Sequence, residues 1–359
     1  MEIHHDISFS DTLPADFYNN PKWFDKLKDA VFARFWQFVG DESDLLQTGS
    51  SIPLTLLEGY LDEPLVLTRD EQGLIHCMSN VCTHRGNIVV RNAGVNKMLV
   101  CAYHGRKFHL DGRFGFMPEF KDAQNFPTAC DDLHRLPLYN WKGMLFSSIQ
   151  PQVSFEEMIQ PILDRLYWLP MEQFKFEARY SQDYLIRANW ALYCDNYLEG
   201  FHIPYVHPGL NQVVDYGTYT TEVYPWCNLQ LGLAKGADEI FDIPEGAPDR
   251  GKRVAAYYYW VFPNMMFNFY PWGCSVNIVR PVSQHITKVS FRTYIWKPEK
   301  FDASAAHMLE KVEREDEDIV EQVQKGVKSR LYKKGRFSPK REMGVHHFHR
   351  LLSEILLSV

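Results

Sequence analysis

No run of the chain is long and apolar enough to read as a membrane span. The most apolar window, VAAYYYWVFPNMMFNFYPW (254–272), is broken by Pro263, Asn264, Asn268 and Pro271, and its makeup fits buried strands. Basic residues are also short: 38 Lys and Arg against 45 Asp and Glu leave a net charge of −7. No basic face is strong enough to point to nucleic acid, and KSRLYKKGR (328–336) reads as a solvated segment or a docking patch. The amino-terminal MEIHHDISFS lacks the charged-then-apolar pattern of a secretory signal. Seven cysteines, at 77, 82, 101, 130, 194, 227 and 274, are odd in number and scattered, which suits a reducing cytoplasm rather than a disulfide framework. No GxGxxG follows a strand and no plant-type ferredoxin cysteine set occurs. Any redox chemistry must therefore draw electrons from a separate protein.

What is present is a globular composition. The chain has 359 residues, 45% hydrophobic and 23% charged, enough for two sizeable cores, with an aromatic share of 14% that is high. Phe24, Leu27, Val31 and Phe35 recur at helical spacing and predict an entry helix over 21–36. From 37 to 150 the texture becomes short strand-like runs broken by turn signals, the pattern of a small antiparallel β domain. A helical connector over 154–170 follows, then a strand at RYSQDYLIRAN, a helix near ALYCDNYLEGFH, and long strands over 253–297. Two helices close the chain, near 303–329 and 342–357. The expected organisation is a 1–36 helical segment, a 37–150 domain and a 151–359 domain, of α+β class with helices laid on an antiparallel sheet.

Two constellations carry chemistry. NVCTHRGNIV and LVCAYHGRKF offer Cys82-x-His84 and Cys101-x-x-His104, separated by 16 residues. A structural zinc favours cysteine-pair knuckles, whereas here each knuckle joins one Cys to one His. That division suits a Rieske [2Fe–2S] cluster, with two thiolates on one iron and two imidazoles on the other. Gly86 and Gly105 follow directly and let backbone N–H groups approach the cluster. The second constellation is NYLEGFHIPYVH (196–207). On a helix Asp195, Glu199 and His202 share a face, Pro204 ends the helix, and His207 swings back. Two imidazoles with one carboxylate make the facial triad of non-haem iron sites, and Glu199 is the nearest acid.

CTHRG followed by CAYHGRKFHLDG, together with N-x-x-E-x-x-H-x-x-x-x-H, resembles the Rieske non-haem iron oxygenases, specifically their terminal oxygenase (alpha) subunits. The resemblance spans roughly residues 35–330. It implies a Rieske domain joined to a catalytic domain of helix-grip type, holding a [2Fe–2S] cluster and a mononuclear Fe(II). It also moves Glu199 off the metal: the acid at that position bridges an iron-ligand histidine to a Rieske histidine of a neighbouring subunit. The third ligand is then sought on EREDEDIVEQVQKG, at Asp316, with Asp318 as fallback. Asn196 would line the O2 side. A head-to-tail homotrimer and a separate NAD(P)H-dependent reductase or ferredoxin are implied as well. One departure is visible, Arg106-Lys107 where many members carry an aromatic residue.

The E-x-x-H-x4-H spacing resembles members acting on betaine- and carnitine-like compounds. The pocket is expected among the aromatic residues of 200–272, including Phe201, Tyr205, Trp226, Tyr257, Tyr259, Phe267, Phe269, Tyr270 and Trp272, as a ring slot or a quaternary-ammonium cage. Hydroxylation or oxidative demethylation of a small organic substrate is the expected reaction. Two other readings stand beside it: a Rieske electron carrier without oxygenase activity, and a zinc-stabilised ligand-binding protein. HHFH (346–349) is expected to pack rather than ligate, and Cys77, Cys130, Cys194, Cys227 and Cys274 to be buried small residues.

Overall fold

The computed structural model describes residues 1–210, 215–236, 239–301 and 303–358, the last without the side chains of 303–309. Two compact units emerge, Phe32–Gln152, and Met1–Val31 together with Val153–Val359.

The smaller unit is antiparallel throughout. β1 (Gln37–Asp41), β2 (Ser50–Leu56), β3 (Glu63–Arg69) and β4 (Ile75–Ser79) are followed by the short β5 (Gly94–Val95), β6 (Leu99–Val100), β7 (Lys107–Phe108), β8 (Phe114–Phe116) and β9 (Arg135–Leu136). β10 (Leu138–Trp141) and β11 (Met144–Ser147) complete it. A five-stranded sheet runs β5-β2-β3-β4-β9, and two three-stranded sheets run β1-β11-β10 and β6-β7-β8. Val66, Met78, Leu99, Phe108, Leu110 and Leu133 form its core, and the same cluster takes in Cys82 and Cys101. Both metal-loop cysteines are thus seated on packed apolar residues, which fixes the loops they begin.

The larger unit opens with α1 (Ala15–Asn19) and α2 (Pro21–Leu27), the latter capped by the Asn20 side chain on Lys22 N–H. The helix expected over 21–36 stops short. After a five-residue wide turn at Lys28–Phe32, the carbonyls of Ala33 and Arg34 accept Gln150 and Gln152 N–H rather than helical partners. The basic stretch 328–336 is used structurally: Arg336 donates to the Ser8 and Ser10 carbonyls and Lys334 pairs with Asp11.

Beyond α3 (Phe155–Arg165) and the short β12 (Lys175–Phe176) come β13 (Gln182–Ile186), α4 (Trp190–Tyr197) and a short α5 (Ile203–Val206). β14 (Thr220–Val223), β15 (Cys227–Leu233), β16 (Val254–Val261), β17 (Met265–Tyr270), β18 (Gly273–Ser283) and β19 (Ile286–Ile295) build an eight-stranded antiparallel sheet in the order β12-β19-β18-β17-β16-β15-β14, with β13 also paired to β19. α6 (Ala303–Val327) and α7 (Met343–Ser358) follow, and α4 packs against α6, α7 and β18. This is the α+β arrangement of helices on an antiparallel sheet. Trp190, Trp260 and Phe348 meet edge to face where α4, β16 and α7 converge.

The histidines of α7 pack and bond within the fold. His349 Nε2 lies 2.8 Å from Asp195 and its Nδ1 accepts Leu13 N–H, while His347 abuts Trp260 edge-on. Four of the cysteines expected to be buried are so, but Cys130 is exposed. It sits on the turn Ala129–Asp131, whose backbone is capped by Thr128 and where only Asp131 turns its side chain back, onto Arg106. Among the described residues no helix is long and apolar enough to cross a membrane.

Candidate active site

In the smaller unit the two Cys/His loops have the same construction. Gly86 N–H closes back on the Cys82 carbonyl at 2.9 Å, and Gly105 N–H on the Cys101 carbonyl at 3.0 Å. Both glycines have left-handed backbones, φ 70° and 72°, which explains the residue type there. The loops bring the His84 and His104 rings to 4.8 Å between centroids. Asn87 Nδ2 donates to Cys101 Sγ at 3.4 Å. Burial pushes both thiols up, but the Tyr103 N–H and the Asn87 amide outweigh it at Cys101 and hold that thiol below its ordinary value. Burial, then the neighbouring His104, Arg85 and Arg106, lower His84 and favour the neutral imidazole that a metal requires.

Among the described residues, the grouping of ligand atoms tight enough for a single ion does not include these four. Two loops that each pair one thiol with one imidazole suit the two-iron cluster. Arg106, the departure from the aromatic residue, is buried. Its guanidinium pairs with Asp131 at 2.7 Å and lies over the rings of Phe108, Phe114 and Phe126.

The second site is built by two helices locked to each other. Asn189 caps α4 through Ala191 N–H, and its own N–H is taken by Gln324 of α6 at 2.8 Å. On α6, Glu313, Asp316, Val320 and Gln324 recur at helical spacing and form one inward face. With the helices so fixed, Tyr193 hydroxyl donates to Glu313 Oε2 at 2.7 Å and Asn196 Nδ2 to Asp316 Oδ1 at 2.6 Å. α4 ends at Tyr197, before Glu199, and Pro204 starts α5 rather than terminating α4. Its fixed φ and missing N–H suit a first helical turn. The tight path after α4 depends on Gly200, where a Cβ would lie 2.7 Å from the Tyr219 ring.

His202, His207 and Asp316 converge, their ligand atoms within 4.8 Å of one another. Asp316 Oδ1 lies 3.0 Å from His207 Nε2 and 3.6 Å from His202 Nε2. The other ring nitrogens are held by carboxylates: Glu199 Oε1 on His202 Nδ1 and Glu315 Oε2 on His207 Nδ1, each at 2.7 Å. A carboxylate on each Nδ1 favours the tautomer that a metal held through both Nε2 atoms requires. Burial disfavours charge on His207, but Asp316 and Glu315 outweigh it and raise its pKa. Two neutral imidazoles and a carboxylate are the donor set of a non-haem iron(II) site. Glu199 also accepts the N–H groups of Phe201 and His202. Asp318, on another face of α6, accepts only a long bond from Gln322.

His202, His207 and Asp316 together line a cavity of about 140 Å³. Asn196 and Glu199 line it, as do Tyr193, Tyr197, Tyr219, Tyr258, Tyr270, Phe291 and Glu313. Of the nine aromatics expected there, Tyr270 alone takes part. Strand alternation puts Tyr257 and Tyr259 on the face opposite Tyr258, where they are buried, and Tyr205 is 79% exposed. A row of polar residues, Gln230, Asn268, Ser275 and Asn277, crosses the sheet beneath the cavity. Two functional candidates escape the motifs, Glu315 and Glu313. Both lie within the acidic run of α6, whose inward face only the packed helix distinguishes.

The fold and the two ligand sets define an iron-dependent oxygenase component. Residues 35–127 match the Rieske [2Fe-2S] domain and 167–358 the ring hydroxylating alpha subunit catalytic domain. The chain is 31% identical to choline monooxygenase of Arabidopsis thaliana, over 95% of this chain and 82% of that one. It is 30% identical to the carnitine monooxygenase oxygenase subunit of Escherichia coli K12, over 96% and 93%. A solved quaternary ammonium Rieske monooxygenase, studied for carnitine oxidation and inter-subunit electron transfer, superposes with a TM-score of 0.80 at 25% identity, over 98% of this chain and 96% of that one. Naphthalene 1,2-dioxygenase from Rhodococcus shares the fold, with a TM-score of 0.75. The chain belongs to the Rieske non-haem iron oxygenases, as a terminal oxygenase alpha subunit. Its cofactors are a Rieske [2Fe–2S] cluster and a mononuclear iron.

Proposed function

We propose that this oxygenase hydroxylates or oxidatively demethylates a small quaternary ammonium or related compound, and that His202, His207 and Asp316 hold the mononuclear iron. The observation that carries the proposal is the convergence of these three side chains on a tyrosine-lined cavity. Both similar curated relatives act on quaternary ammonium compounds. Cys82, His84, Cys101 and His104 hold the cluster, in a domain assigned to 37–150. The catalytic domain occupies 151–359, and 1–36 is its amino-terminal helical segment. When bound, the two groups supply reductive O2 activation, with electrons delivered one at a time.

The protein's own residues set the conditions for that chemistry. Glu199 and Glu315 keep the two imidazoles in the Nδ1–H tautomer and in orientation. Asn196 donates to Asp316 Oδ1 at 2.6 Å, the same oxygen that faces the two histidines, and so fixes the orientation of that carboxylate. Glu199 is also the residue through which an electron would arrive from a neighbouring subunit's cluster, in a closed head-to-tail trimer. A separate reductase or ferredoxin supplies the electrons. Unpaired cysteines throughout support a cytoplasmic setting.

The test is O2 uptake by the cluster- and iron-loaded protein with a surrogate reductase, screening choline, carnitine, betaines and aromatic acids, with ¹⁸O2 label traced into product. Label is expected in a hydroxylated quaternary ammonium compound, or in the aldehyde released together with an unlabelled amine. Cluster reduction without label in any product would reduce the protein to an electron carrier.

A further inference from the structure

Two residues lining the cavity carry buried acceptor atoms that find no donor among the described residues. Glu313 is 4% exposed; the Tyr193 hydroxyl occupies its Oε2, and among the described residues Oε1 has no partner. Gln230 is 1% exposed and donates its amide N–H to the Tyr197 carbonyl at 2.6 Å. That bond fixes the orientation of the amide and leaves its Oε1 unpartnered too. A buried carboxyl in such a position stays neutral or meets a cation, and an unmet acceptor is costly. Among the described residues lining the cavity there is neither Lys nor Arg. The walls beside these acceptors are electron-rich: Tyr258 lies between Tyr219 and Tyr270, at 6.5 and 6.0 Å between ring centroids.

We propose that the cavity takes a small organic cation without a carboxylate of its own, with Glu313 as its counter-charge. The proposal rests on the oxygenase reading and narrows it. Ring faces attract an ammonium group, and the buried Glu313 carboxyl neutralises it. A substrate hydroxyl or N–H satisfies Gln230. A betaine or an aromatic acid would instead bring an anion into a chamber that already holds Glu199, Glu313 and Asp316. The cation available to such an anion would be the metal, whose open positions O2 needs. A neutral aromatic ring would leave both acceptors unmet. Glu313 thus separates choline-like from carnitine-like compounds, two classes that the spacing of the histidine motif does not distinguish.

The experiment is anaerobic calorimetric binding to cluster- and iron-loaded protein, with choline, its neutral tert-butyl carbon isostere, and glycine betaine. Choline should bind at least about tenfold tighter than either of the others. Glu313→Gln, which keeps an acceptor for Tyr193, should weaken choline about thirtyfold while leaving the isostere nearly unchanged. Glu313→Asp, which keeps the charge, should retain the preference for choline over the isostere. Glycine betaine bound as tightly as choline, or a Gln variant that keeps the cation preference, would overturn the proposal. Should the Gln variant not fold, an Asp variant without cation preference would overturn it equally. No turnover enters this measurement, so failure to oxygenate leaves it readable. Conversely, labelled product from a neutral aromatic with no choline binding would reject the cation site and leave the oxygenase intact.

Discussion

Glu315 occurs in no motif, yet the geometry makes iron affinity depend on it. Its Oε2 lies 2.7 Å from Nδ1 of His207, a ring that is 1% exposed, while Glu315 itself is 26% exposed. Glu315→Ala would strand the buried Nδ1–H and remove the carboxylate that raises the basicity of Nε2. Loss of such an outer partner costs about 10- to 100-fold in metal affinity, or about 1.4 to 2.7 kcal/mol. Solvent access beside Glu315 lets water replace part of the bond, which places the expected loss near the lower figure. Glu315→Gln keeps an acceptor and loses only charge, so its loss should be smaller than that of the Ala variant. Asp316→Ala removes a proposed ligand and should exceed both. The assay is Fe(II) competition against a chromogenic chelator, with the visible absorption of the cluster as an internal measure of intact protein. Unchanged iron affinity in Glu315→Ala would refute the assigned role of the 2.7 Å contact. A loss as large as that of Asp316→Ala would make Glu315 the ligand instead.

Other perturbations follow from neighbouring contacts. Glu199→Gln should keep iron, because Glu199 meets the distal nitrogen of His202, yet slow cluster reoxidation on the order of tenfold or more in stopped-flow absorption; an emptied iron site would instead make Glu199 a ligand. Arg165→Met should cost about 3 kcal/mol in urea unfolding, since it removes the guanidinium shared by Glu222 and by Asp249, which is 1% exposed. Lys252 remains on Asp249 and keeps that loss from growing larger. Burial lowers His347 to about 4, so the unfolded chain takes up that proton first as pH falls below the ordinary imidazole value. Stability should therefore drop by about 2 kcal/mol between pH 7 and pH 5, and His347→Gln should remove that share of the slope. An unaltered slope in the variant would show that His347 is not the titrating group.

Local motifs made both proposed ligand sets readable because most of their candidate residues lie at short spacing. Cys82-x-His84 and Cys101-x-x-His104 are each held within one loop, and His202 and His207 flank one short helix. Asp316 is separated from them by more than a hundred residues, and the resemblance rather than any spacing located it. Glu313 and Glu315 stayed hidden because a run of acids looks the same on every face until packing chooses one. The cavity aromatics were missed for a different reason. In β16 three consecutive tyrosines occur, and parity alone decides that Tyr258 meets the cavity while Tyr257 and Tyr259 do not. Register is set by the whole sheet, through pairs such as Gln230 with Tyr258 and Tyr258 with Asn268, and no single strand reveals it. The division near residue 31 likewise depends on where the Ala33 and Arg34 carbonyls find partners, which helical periodicity does not report.

The proposed chemistry requires two separate iron centres, with His202, His207 and Asp316 as the proposed ligands of one of them. Iron and acid-labile sulfide, counted in the wild-type protein and in Asp316→Ala, test this most directly. The wild-type should carry three irons and two sulfides per chain, one cluster and one mononuclear ion. The variant should lose one iron, keep both sulfides and keep the cluster colour. Sulfide lost together with iron, or mononuclear iron retained in full, would contradict the assignment.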